Sequence, residues 1–179
     1  PPDCDLVLEG GTLSLGVCVR PNGAVITRLS TGSTSWLPQA PLPVFTVAYG
    51  TDPAGVVPLD ADRDWGKVEV RRSAGQATVR FSHAPKCPGA AVDWVISEDQ
   101  DGLEMHLEIE GPAVRGAVFP RLTVREPDGG GTAFVPAGQG RLEADAFRRN
   151  TRYRMPYAGP FAAMSFGKAP ATSASQATL

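Results

Sequence analysis

Apolar residues recur at every second position along most of this chain, and that alternation limits the possible folds more than any motif does. Leu13, Leu15, Val17 and Val19 alternate with Thr12, Ser14, Gly16 and Cys18. Val68 and Val70 alternate with Lys67, Glu69 and Arg71, and Ala77, Val79 and Phe81 with Thr78, Arg80 and Ser82. Val92, Trp94 and Ile96 share one parity. Leu103, Met105, Leu107 and Ile109 share another, opposite Glu104, His106, Glu108 and Glu110. A period of two sends successive side chains to opposite faces of a strand, so each run predicts an antiparallel strand with one face in a core and one in water.

The segments between these runs carry turn chemistry. Ser73-Ala74-Gly75 and Glu98-Asp99-Gln100-Asp101-Gly102 each separate two alternating runs, as hairpin loops do. Pro21-Asn22-Gly23 and Pro127-Asp128-Gly129 hold residues that tolerate positive φ. The 20 glycines and 17 prolines are scattered as punctuation rather than gathered in blocks. Strands recur about every 8 to 12 residues, the spacing of a sandwich or barrel. The predicted fold is all-β: an antiparallel two-sheet sandwich with little or no helix, spanning residues 1–167. Residues 168–179 are small and polar and read as a linker or disordered tail. The one helical candidate, Glu143 to Arg149, is about two turns long, and a loop suits it equally well.

Composition narrows the functions. At 179 residues the chain can bury a core without metals or disulfides. A net charge of −2 gives no basic footprint for nucleic acid, and no apolar run reaches the length of a membrane helix. The three cysteines, Cys4, Cys18 and Cys87, cannot all pair within one chain. Cys4 and Cys18 lie in neighbouring early segments that could be bridged across a strand pair; otherwise all three are small, half-buried thiols.

Several groups are chemical candidates. Asp60-Ala61-Asp62-Arg63-Asp64 opens like a calcium loop, but Trp65 stands where that loop needs Gly and Arg71 where it needs Glu, so no metal is expected. His106, flanked on its own face by Glu104 and Glu108, could serve as an acid/base group, as His and carboxylates do on the sheet faces of sugar epimerases; an exposed strand histidine is the simpler reading. Trp36 and Trp65 lie near turns and are candidates for a sugar platform or a domain contact, whereas Trp94 shares the parity of core residues. Arg148, Arg149, Arg152 and Arg154, threaded with Phe147, Tyr153 and Tyr157, could grip an acidic group. No nucleophile elbow, phosphate loop or cofactor motif occurs, so this stretch carries no complete catalytic set of its own.

The order of features in the second half carries a resemblance. The strand Gly102 to Ile109 is followed by Val118-Phe119-Pro120-Arg121-Leu122. Then come Thr132-Ala133-Phe134-Val135-Pro136-Ala137-Gly138-Gln139-Gly140 and Tyr157-Ala158-Gly159-Pro160-Phe161-Ala162-Ala163-Met164-Ser165-Phe166. This resembles the N-terminal β-supersandwich domain of certain glycoside hydrolases, a fold similar to the galactose-mutarotase-like sandwiches. The resemblance implies a non-catalytic domain that packs on a following catalytic barrel and helps shape a carbohydrate cleft. The partners it implies are carbohydrate and that following domain, with catalytic carboxylates beyond Leu179 and an apolar contact patch near Tyr153 to Phe166. Glycan chemistry of this kind points to an extracellular setting. A free-standing carbohydrate-binding module and an aldose epimerase-like enzyme centred on His106 are the alternatives.

Overall fold

The computed structural model describes residues 5–37, 43–50 and 55–122, together with the backbone of three further short strands. All regular structure among the described residues is antiparallel β-sheet, without helix. Residues 1–124 and 125–179 form two compact units.

The first unit holds three sheets. Sheet A has the order β1 (Leu6–Gly10), β2 (Leu13–Arg20), β3 (Gly23–Thr31) and β4 (Thr34–Ser35). Sheet B joins β5 (Thr46–Tyr49) to β6 (Val57–Asp60) on one side and β11 (Val114–Val118) on the other. Sheet C runs β7 (Lys67–Ser73), β8 (Gln76–Ser82), β9 (Ala91–Glu98) and β10 (Leu103–Glu110), each strand hydrogen-bonded to its sequence neighbour. In the second unit, β12 (Thr132–Val135) pairs with both β13 (Arg141–Ala144) and β14 (Ser165–Gly167). Glu143 and Ala144, the start of the helical candidate, are therefore strand residues opposite Ala133 and Thr132: pairing in a sheet outweighs a weak local helical preference.

One core joins the three sheets. Leu6, Leu8, Leu15, Val17, Ala24, Ile26 and Leu29 enter it from sheet A. Val47, Tyr49 and Leu59 enter from sheet B, and Ala77, Val79, Phe81, Val92, Trp94 and Ile96 from sheet C. Most core residues of these strands follow the alternating parity, although Val25, Ala91 and Val95 are buried on the opposite faces. One departure is instructive: Ile26 and Leu29 are both in the core although three residues apart, which strict alternation forbids. A bulge resolves it. Val17 pairs with Ile26 while Gly16 pairs with Arg28, so Thr27 is the extra residue of a bulge that resets the faces.

The turns follow the sequence with one change of reason. Ala74-Gly75 closes the β7–β8 hairpin with Gly75 at φ 71°, as the turn requires. At Pro21-Asn22 neither Asn22 nor Gly23 takes a positive φ. Glycine is needed at position 23 because a Cβ there would overlap the backbone of Asp62, whose loop lies against β3. Backbone bonds seal this approach: the Ala24 amide donates to the Ala61 carbonyl at 2.8 Å, and the Trp65 amide to that of Asn22 at 3.2 Å.

That loop explains Trp65. The indole Nε1 donates to the Asp60 carbonyl at 3.1 Å, and the ring packs with Phe45 and Phe81 at centroid distances of 6.2 and 5.6 Å. Trp65 is 1% exposed, so it offers no face to a sugar or to another domain, contrary to the expectation drawn from its place beside a turn. The turn carries the ring inward, where its polar atom finds a backbone acceptor.

Candidate functional site

A gathering of polar groups lies on the outer face of sheet C. Cross-strand register builds it in rows. Arg71, Thr78, Val95 and His106 form one row across β7, β8, β9 and β10; Glu69, Arg80, Asp93 and Glu108 form the next. Residues opposite one another on neighbouring strands lie within about 5.5 Å, so rows of this kind converge their side chains. The result is a trough with a volume of about 380 Å³, lined by Arg71, Gln76, Thr78, Arg80, Asp93, Val95, His106 and Glu108.

The floor is an ion-pair network. Arg80 donates to Asp93 Oδ2 at 2.5 Å and to Glu110 Oε2 at 3.3 Å. The charge of Asp93, with a smaller part from Glu110, holds the Arg80 guanidinium above its usual range. The second Asp93 oxygen, Oδ1, is shielded from water and has no hydrogen-bond partner. Leaving a buried acceptor unpaired typically costs about 1–3 kcal/mol. Gln76 Nε2 donates to Ser97 Oγ at 3.2 Å. On β7, Lys67 bridges Glu69 at 3.0 Å; that hydrogen bond, aided by the charges of Lys67, Arg71 and Arg80, keeps the Glu69 carboxyl below its usual range against a partial desolvation.

The His106 group falls in this trough only in part. His106 Nε2 lies 3.5 Å from Glu108 Oε1, and both line the trough. Glu104 lies one row further along, opposite Ser97, and does not line it. At 49% and 66% exposed, the His106 and Glu108 side chains stand in water. Two residues of the trough were therefore legible as candidates from the sequence. Arg71, Arg80 and Asp93 were not, because each is one polar residue in an alternating strand. The available signal was register: pairing the strands outward from the Ala74-Gly75 turn places Arg71 beside Thr78 and Arg80 beside Asp93.

The other candidates separate from this site. The Asp60–Asp64 loop is closed by cations of the protein itself. Asp60 binds Arg63 and accepts from Thr46 Oγ1 at 2.6 Å, while Lys86 Nζ reaches Asp64 Oδ1 at 2.6 Å. Among the described residues no cluster of His, Cys, Asp and Glu is placed to hold a metal ion. Trp36 is half-buried against the core, and its Nε1 donates to Thr31 Oγ1 at 2.8 Å, so only part of the ring reaches solvent. Cys18 and Cys87 are free thiols, so Cys18 has no disulfide partner; Cys4 lies outside the described residues. Arg152, Tyr153 and Tyr157, with the rest of the basic cluster, the expected patch up to Phe166 and the 168–179 tail, also lie outside them. No protein-family model matches the chain, and no curated protein is a significant match to it.

Proposed function

We propose that this chain is a non-catalytic β-sandwich domain of a larger glycoside hydrolase, similar to the galactose-mutarotase-like supersandwich domains, and that it packs on a following catalytic barrel and helps shape its carbohydrate cleft. The antiparallel all-β architecture and the run of motifs from Val118 to Phe166 support this reading. The observation that carries it is the apolar character of the last stretch of the first unit. Val114, Val118 and Leu122 are 44%, 58% and 38% exposed, and β11 is an outer strand of sheet B. Exposed apolar side chains are the material of contact surfaces, and an outer strand can accept a covering element.

The test is the intact mass of the native protein from its source, with sequencing past Leu179. A product several hundred residues longer, with paired carboxylates downstream, is the expected result. A native product ending near Leu179 would overturn the reading and turn attention to sugar binding by this domain alone.

A further inference from the structure

The trough on sheet C has a polarity that suits one kind of ligand. Four strands at a spacing of about 4.8 Å set β7 and β10 roughly 14 Å apart, so the trough has two distinct walls. On the β7 wall, Arg71 is exposed and forms no ion pair or side-chain hydrogen bond with the described residues. The carboxylate next to it on that face, Glu69, is hydrogen-bonded by Lys67, and the Arg71 charge acts on it more weakly. On the β10 wall stand His106 and Glu108, an imidazole and a carboxylate 3.5 Å apart. Between them, the Arg80 guanidinium is engaged by Asp93 and Glu110. The trough thus offers at one side a guanidinium that makes no hydrogen bond to the described residues, and hydroxyl acceptors at the other side.

We propose that this trough binds a single acidic sugar, with the sugar carboxylate on Arg71 and its ring hydroxyls on His106 and Glu108. A guanidinium can pair with a carboxylate through two parallel hydrogen bonds, which fixes orientation as well as charge. A neutral sugar leaves Arg71 unpaired. A simple inorganic anion brings no hydroxyl donors and meets the negative charge of Asp93 and Glu108. The volume, about 380 Å³, lies near the low end of small-molecule clefts, about 300–1,000 Å³, which suits one ring rather than a long chain. No aromatic ring lines the trough, so stacking adds nothing and the affinity is expected to be millimolar. The site stands whether or not the chain belongs to a larger enzyme.

The experiment is a titration of the full chain with D-glucuronate, D-glucose and acetate at constant ionic strength, followed by amide chemical shifts in NMR. Glucuronate is expected to move resonances along β7 to β10 and to bind about tenfold more tightly than either control, the factor that one charge-assisted hydrogen bond carries. Arg71→Gln, an exposed change outside the core, is expected to keep the dispersed amide spectrum and to bring glucuronate down to the level of glucose. A second variant, Glu108→Gln, is expected to weaken glucose and to leave acetate no weaker. Glucose or acetate binding as tightly as glucuronate, glucuronate shifts away from sheet C, or full glucuronate affinity in Arg71→Gln would each overturn the proposal.

Discussion

At the scale of single residues, the side chains that looked most chemical serve the fold. Asp60 belongs to the acidic loop that opens like a calcium site, yet its neighbours are Thr46, Arg63 and, at 3.8 Å, Arg121. Burial opposes its ionisation. The hydrogen bonds from Thr46 and Arg63, with the charges of Arg63 and Arg121, outweigh that and hold the carboxyl below its ordinary value of 3.8. Because the folded pKa is depressed, the unfolded chain takes up the proton first as the pH falls. The stability contributed by ionised Asp60 is therefore complete above the ordinary value and is lost as the pH drops through the lower folded one. Asp60→Asn keeps the shape and removes the charge. At neutral pH it is expected to cost about 1.5–3 kcal/mol, the range for hydrogen bonds to charged groups. In urea unfolding measured across a pH series, the gap between the two proteins should narrow as the pH falls below about 4. A gap that stays constant with pH would show that the charge of Asp60 contributes nothing.

At the scale of elements, the strands were legible and their partners were not. The parity of Ala77, Val79 and Phe81 and of Val92, Trp94 and Ile96 gave the buried faces of β8 and β9, since a two-residue period has one solution once a core exists. The sequence does not display where two strands slip by a residue, so the bulge at Thr27 was invisible, and with it the reason both Ile26 and Leu29 are buried. Trp65 was misjudged because proximity to a turn says nothing of the direction in which the turn points its side chains. The trough was half legible for a related reason: parity marks His106 and Glu108 as sharing a face, but only cross-strand register brings Arg71, Arg80 and Asp93 to them. Register also explains the protection of an open edge. β1 is the outer strand of sheet A, and its Glu9 amide donates to Glu98 Oε1 at 3.1 Å, an oxygen that also lies 3.4 Å from Arg72 Nη2. Glu98 thus ties the edge of sheet A to the end of β9. Glu98→Ala is expected to cost about 1 kcal/mol and to speed hydrogen exchange at the Glu9 amide, whereas Glu98→Gln, which keeps an acceptor, should retain most of the protection. Equal exchange in all three proteins would remove Glu98 from that role.

At the scale of the whole molecule, the first unit has a closed interior and an open flank. Its core is continuous from sheet A through sheet C and includes the buried residues Val44, Phe45, Ala61 and Ala84 between strands. Yet β11 presents five exposed residues in a row, two of them valines, at an outer edge of sheet B. A strand that contributed only to this core would bury one face, as β5 beside it does with Val47 and Tyr49. If β11 is the place where a following domain sits, a charge there should be harmless in this chain and harmful in a longer protein. Val118→Lys tests that difference. In the isolated chain, where Val118 is 58% exposed, the change is expected to alter stability by no more than about 0.5 kcal/mol and to reduce self-association. In the longer protein that the proposal expects, burying an unpaired ammonium against a neighbour should cost several kcal/mol or separate the two domains, detectable as a split thermal transition. An equally small effect in both would mean that β11 faces water in the whole protein too, and that the proposed barrel contact has to lie elsewhere.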